Sequence, residues 1–199
     1  MAGDSLFVRL WPGIVRNEPP RLRELRRDNL AGLAGRVLEV GAGTNFPLYP
    51  AEVTEVVALE PEAGLRSQAA TTDPRIELRS ERLDEYDGAP FDAVVLSLVL
   101  CSLPDPGAAI AQIRRLMKPT GELRFLEHVA ADGRILEGLQ KGGGATVWPR
   151  LFGNCHTHRD AVGAIASGGL TVTAADGELL APSWVPFPTS PVVLGRATL

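Results

Sequence analysis

The sequence predicts an α/β domain in which a mostly parallel sheet is covered by helices on both faces. Three observations lead there. The stretch Val37-Leu38-Glu39-Val40-Gly41-Ala42-Gly43 is a short apolar strand that closes on a carboxylate and turns through two glycines. Val56-Val57-Ala58-Leu59-Glu60 repeats the buried strand ending in an acid. Strand-like and helix-like segments then alternate through the chain, which is the pattern of a crossover-connected sheet.

Residues 1–18 place Phe7, Leu10 and Trp11 beside Arg9 and Arg16, which suits a lid, a packing arm or a membrane-touching segment. Pro19-Pro20 open a helix whose apolar stripe is Leu22, Leu25, Leu30 and Leu33, proline being tolerated in a first turn. Arg21, Arg23, Arg26 and Arg27 on that helix, diluted by Glu18 and Glu24, read as a solvated face. Strands are expected at 36–41, 54–60, 75–79, 91–98 and 121–128. A helix over 107–117, with Ile110, Ile113 and Leu116 on one side, bridges the last two and is stopped by Pro119 and Gly121. Gly142-Gly143-Gly144 reads as a flexible loop. A helix near 158–168, a strand at 170–174, a stiff proline-rich loop around Trp184 and Phe187, and a strand at 191–197 complete the chain.

At 199 residues, 45% hydrophobic and 22% charged, the chain suits one globular domain. It divides into an arm and helix (1–35), a cofactor-binding core (36–128) and an acceptor-side cap with the last strands (129–199). The net charge of −4 argues against nucleic acid as the partner. Cys101 and Cys155 make no disulfide framework. The apolar run 93–103 is too short to span a bilayer, and no signal peptide is evident, so a cytoplasmic location is expected.

Open α/β sheets bind ligands at the carboxyl ends of their strands, so Glu39, Glu60, Leu98 and His128 should line one crevice. Glycines let the backbone approach a ligand there, and an acid closing the neighbouring strand suits a ribose diol. A dinucleotide site wants a third glycine opening a helix that holds pyrophosphate. That position is Phe46, followed by Pro47 and Pro50, so pyrophosphate is poorly served. A ribose, an amino group facing Glu39 and no phosphate describe S-adenosylmethionine.

The blocks LEVGAGTNFPLYP, VVALEPE, FDAVVLSLVLCSLPDP, RLMKPTGELRFLEHV and LFGNCHTHRD resemble the class I S-adenosylmethionine-dependent methyltransferases. They are similar in particular to bacterial relatives of the animal methyltransferase-like thiol methyltransferases. The resemblance implies a Rossmann-like seven-stranded sheet with its last strand inserted antiparallel. It assigns Glu39, Gly41, Gly43 and Asn45 to the first cofactor motif, Glu60 and Pro61 to the ribose-binding acid, the stretch Ser80-Glu81-Arg82-Leu83 to an adenine-edge turn, with Ser80 and Glu81 as its binding residues, and Ser97 and Leu98 to the methionine moiety. The loop from Thr44 to Asn45 is shorter than the family's usual pattern, and no apolar N-terminal anchor like that of the animal relatives is expected.

The resemblance further implies methyl transfer to a small, fairly apolar acceptor, with thiol sulfur favoured and oxygen or nitrogen open. His128 is the candidate base, against the plainer role of an imidazole bonded to a loop carbonyl. Cys101, Trp148, Phe152, His156 and Trp184 are the candidate acceptor-pocket residues, core packing being the alternative for each. Cys155, His156 and His158 lack a fourth ligand and regular spacing, so no metal is expected. Two rival readings stand: a cofactor-binding protein without catalysis, and a nicotinamide-dependent oxidoreductase, which Phe46 and the lack of a Tyr-x-x-x-Lys pair disfavour.

Overall fold

The computed structural model describes residues 5–41, 43–131, 134–144, 148–181 and 188–199. Two helices, α1 (Leu6–Arg16) and α2 (Pro20–Leu30), precede β1 (Gly35–Val40), a short 3-10 turn (Phe46–Leu48) and β2 (Val53–Leu59). Then come α3 (Ala63–Gln68), β3 (Ile76–Arg79), β4 (Phe91–Ser97), α4 (Pro106–Leu116) and β5 (Met117–His128). The last third holds α5 (Arg134–Gly144), α6 (Trp148–Leu151), α7 (Ala161–Ser167), β6 (Thr171–Leu179) and β7 (Pro191–Thr198).

The seven strands form one sheet in the order β3-β2-β1-β4-β5-β7-β6. β1 to β5 are parallel, and β7 runs antiparallel between β5 and β6. The expected fold is therefore present, including its reversed last strand. The chain leaves β1 toward β2 and β3, then returns to place β4 on the other side of β1. This reversal opens a crevice beyond the carboxyl ends of β1 and β4.

The central strands are apolar on both sides because helices cover both faces. Leu38, Val94, Leu96, Leu123 and Phe125 pack with Ile110 and Ile113 of α4 and Ile165 of α7. On the opposite face Val37, Val56, Ala58 and Val95 pack with Leu30, Leu33, Phe46 and Tyr49. Asp105 starts α4 by accepting from Ala108 N at 2.9 Å, and Asp160 starts α7 by accepting from Gly163 N at 2.8 Å, each meeting an otherwise orphaned donor.

Several expectations need correction. Arg26 is not on a solvated face: it is buried, and its guanidinium donates to Glu18 at 2.7 Å, Ser97 Oγ at 2.8 Å and Asn45 Oδ1 at 3.3 Å. The Gly142–Gly144 segment is not a loop but the end of α5. Gln140 anchors that helix, receiving Ala131 N–H at 2.8 Å and donating to the carbonyls of Val129, Thr157 and Pro188. Four long-range bonds from one buried amide outweigh the low helix propensity of glycine. β5 starts at Met117, where that residue pairs with Phe91, and β6 reaches Leu179 by pairing with β7 up to Pro191.

Candidate functional site

β4 ends abruptly. Leu98 takes a left-handed conformation with φ +57, its N–H held by Leu126 O at 2.7 Å. Such a conformation costs a non-glycine residue on the order of 1 kcal/mol or more and persists only where surroundings enforce it. It is enforced by Glu127 in the neighbouring strand, whose Oε1 accepts the N–H groups of Val99 and Leu100, both at 2.9 Å. The chain is thereby swung away from the sheet at the switch point. β1 ends in the same manner at Gly41, with φ +82 and its N–H on Leu59 O at 2.9 Å.

Between these two exits lies a crevice of about 550 Å³, within the range of small-molecule sites. Glu39, Gly41, Glu60, Pro61, Ser97 and Leu98 line it. So do Leu65 and Leu83 on the β2–β3 side, and Val99, Leu103 and Pro104 beyond β4. Phe7 and Trp11 of α1 form part of the wall, packed on each other with ring centroids 5.3 Å apart. Helix α1 is thus a packing arm beside the crevice: Val8 is buried, and its carbonyl accepts from Gln68 of α3 at 3.1 Å. Gly153 also lines the crevice, and a Cβ there would come within 2.9 Å of the Phe7 ring.

Glu39 is the most constrained carboxylate on the crevice. Its Oε2 accepts from the Tyr49 hydroxyl at 2.7 Å and its Oε1 from Asn45 Nδ2 at 3.0 Å. Burial lifts its pKa from 4.5 to about 7, against the downward pull of the Tyr49 bond, the Arg26 charge and the Asn45 bond. Glu60 is also raised, by burial first, and its Oε1 receives the Glu62 N–H at 2.8 Å.

The other candidates divide. Asn45 is buried beneath Glu39 as its support, and it is not among the crevice-lining residues. Gly43 has φ +108 and packs on Ala69. Of the expected adenine-edge turn, Arg82 and Leu83 reach the crevice, joined by Asp84, while Glu81 pairs with Arg79 at 2.5 Å and neither it nor Ser80 is among the crevice-lining residues. His128 and Cys101 are turned toward Cys155: both sulfurs lie 3.7 Å from His128 Nδ1. Trp148 and Phe152 stack on each other with centroids 4.1 Å apart. His156 Nε2 is 3.3 Å from Asn154 Oδ1. None of these last five is among the crevice-lining residues, and Trp184 and Phe187 lie outside the described residues.

Arg26, Tyr49 and Glu127 escaped the sequence reading. Arg26 sat in a run of arginines whose neighbours are exposed, and Tyr49 and Glu127 act across strand and loop separations that carry no periodic signal.

The model of the family described as a methyltransferase domain matches residues 14–163. The chain belongs to this family of S-adenosylmethionine-dependent methyltransferases. The protein named Thiol S-methyltransferase TMT1B of Mus musculus is 26% identical over 182 residues, covering 85% of this chain and 73% of that protein. The phosphatidylethanolamine N-methyltransferase of Cereibacter sphaeroides is 31% identical over 137 residues, covering 63% of this chain and 65% of that one. Among solved structures, N-methyltransferase NodS of Bradyrhizobium japonicum, in complex with S-adenosyl-L-homocysteine, superposes with a TM-score of 0.67 at 17% identity over 98% of both chains.

S-adenosylmethionine is therefore the methyl donor of this enzyme. The crevice residues suit it. Gly41 presents backbone without a side chain where a Cβ would already touch Val99 at 3.4 Å, and carboxylates stand at the ends of both β1 and β2. Among the described residues no helix is long and apolar enough to cross a membrane.

Proposed function

We propose that this methyltransferase methylates the thiol sulfur of a small, fairly apolar acceptor. Glu60 accepts the ribose hydroxyls of the cofactor, Glu39 faces its ammonium, and Gly41, Ser97 and Leu98 provide backbone contacts around the methionine part. S-adenosylmethionine, when bound, supplies an electrophilic methyl carbon on a positively charged sulfur. The protein's own task is alignment and exclusion of water, since holding reactants at about 3–3.5 Å accounts for several kcal/mol of barrier. Phe7, Trp11, Val99, Leu103 and Pro104 supply apolar walls for that purpose.

One observation carries the choice of sulfur: no imidazole is among the crevice-lining residues, and most of its carboxylates are engaged. Glu39 holds Tyr49 and Asn45, Asp105 caps α4, and Asp84 is paired with Arg82. An alcohol or phenol needs a positioned base. A thiol of pKa about 8.5 is already a few per cent thiolate at neutral pH and needs none. The name of the mouse relative supports the same reading.

The test is a matched panel of an aryl thiol, a phenol and an amine offered to the enzyme with S-adenosylmethionine. Only the thiol is expected to turn over, at a rate that climbs with pH up to the thiol's own pKa. Methylation of the phenol or the amine at a comparable rate overturns the assignment to sulfur, while the methyltransferase itself stands.

The position of Glu39 gives a second expected result. Because its carboxyl is held at about 7, a cationic amine placed beside it draws the proton off. Binding of S-adenosylhomocysteine is then linked to release of one proton. Affinity should rise with pH between about 6 and 8, by at most tenfold per unit below the raised pKa. The unliganded protein shows the opposite sign for this group: the native state holds the extra proton between pH 4.5 and about 7, so the Glu39 contribution to stability falls as pH rises through that window. Titration calorimetry in buffers of different ionisation enthalpy counts the proton. A pH-independent dissociation constant with no proton released removes Glu39 from the ammonium site.

A further inference from the structure

Three groups that the methyl-transfer site leaves unused meet on the far side of the β4 exit. Cys101 comes from the loop after β4, His128 from the last position of β5, and Cys155 from the turn after α6. All three are buried, and their donor atoms lie within 4.8 Å of one another. The two sulfurs are 3.4 Å apart, and each is 3.7 Å from His128 Nδ1. A tetrahedral zinc ion with Zn–S near 2.3 Å and Zn–N near 2.0–2.1 Å requires edges of about 3.8 Å between sulfurs and about 3.5 Å between sulfur and nitrogen. The observed triangle matches one face of that tetrahedron to within a few tenths of an ångström.

We propose that Cys101, His128 and Cys155 form a soft-metal site that binds one zinc ion. Two thiolates and a neutral imidazole are a donor set that favours Zn²⁺ over hard cations. Their charges cancel that of the ion, which allows the cluster to sit in a buried place without a net charge. Binding displaces two thiol protons to solvent, leaves the imidazole proton on Nε2, and changes no oxidation state. Glu127 takes no direct part. Its Oε1 is committed to the N–H groups of Val99 and Leu100, which fixes the loop that carries Cys101. Among the described residues no fourth side chain completes the set, so a water molecule fills the remaining position.

This set differs from the one the sequence suggested. His156 and His158 have ring centroids 6.2 Å apart, and His156 faces Asn154. The sequence reading of no metal rested on their spacing; Cys101 and His128 join Cys155 only through the fold. The ion would clamp the segment holding Gly153, which walls the crevice, to the ends of β4 and β5. The proposal is independent of the acceptor's identity.

The test uses the full chain, reduced, stripped with a chelator, and then dialysed against zinc chloride and separately against cobalt chloride. The expected results are one equivalent of zinc by elemental analysis, an intense thiolate-to-cobalt charge-transfer band in the cobalt form, and protection of both cysteines from alkylation by zinc. Cys155→Ser and Cys101→Ser should bind zinc more than tenfold more weakly while still binding S-adenosylhomocysteine, which shows that they fold. Should either variant fail to fold, the alkylation and cobalt measurements on the unaltered chain decide. A reduced chain that retains no zinc and alkylates freely at both thiols, a Cys101–Cys155 disulfide found in place of metal, or unchanged zinc binding by either folded single variant overturns the site.

Discussion

Arg26→Met is expected to destabilise the enzyme by about 3–5 kcal/mol, the scale of removing one partner from a buried ionic network. The guanidinium bonds Glu18, Ser97 and Asn45, and its charge bears on Glu39. Methionine fills much of the volume but leaves the largely buried Glu18 carboxylate with only the more distant, exposed Arg23 at 3.7 Å. It also frees the Asn45 amide that orients Glu39. Urea unfolding monitored by tryptophan fluorescence measures the loss, and adding Glu18→Gln should restore part of it by removing a buried charge that Arg23 alone compensates poorly. A change below about 1 kcal/mol in the single variant would mean that the network carries no structural weight.

Glu60→Ala should weaken S-adenosylhomocysteine by about 1.5–3 kcal/mol, the worth of hydrogen bonds to a charged group, or roughly tenfold to 150-fold in dissociation constant. The carboxylate lies at the end of β2, on the crevice, with Oε1 tied to the Glu62 N–H. That bond fixes the side chain in place before any ligand arrives, so little entropy is lost in presenting it. Glu60→Gln keeps the shape and isolates the charge, and its loss should fall between the wild type and alanine. Calorimetry on both variants at one pH makes the comparison, and an alanine variant that binds as the parent does would take Glu60 out of the ribose site.

The sheet was legible because its signal is local. Val56–Leu59 and Ala93–Leu96 are uninterrupted apolar runs, and Val37–Val40 is broken only by Glu39, as suits strands buried on both faces. The edge strand β6 was underestimated for the converse reason: its residues are mostly exposed and it owes its length to pairing with β7. α5 was missed because three glycines masked it, and its anchor, Gln140, bonds to four backbone groups contributed by other segments.

At the site, the sequence by itself determined the two carboxylates and the glycine exit. Each follows from a strand end, where alternation and a turn residue fix which groups emerge together. Only the tertiary structure decided which polar groups face each other. Arg26 joins Glu18 to the β1 and β4 ends, Tyr49 and Asn45 bind Glu39, and Glu127 shapes the Leu98 turn. It likewise carried Cys101, His128 and Cys155 into contact from two loops and a strand end. The physical reason is that hydrogen bonds and ligand sets are satisfied through space. A chain records the period of its own elements, whereas the partner of a buried polar atom is chosen by how those elements pack.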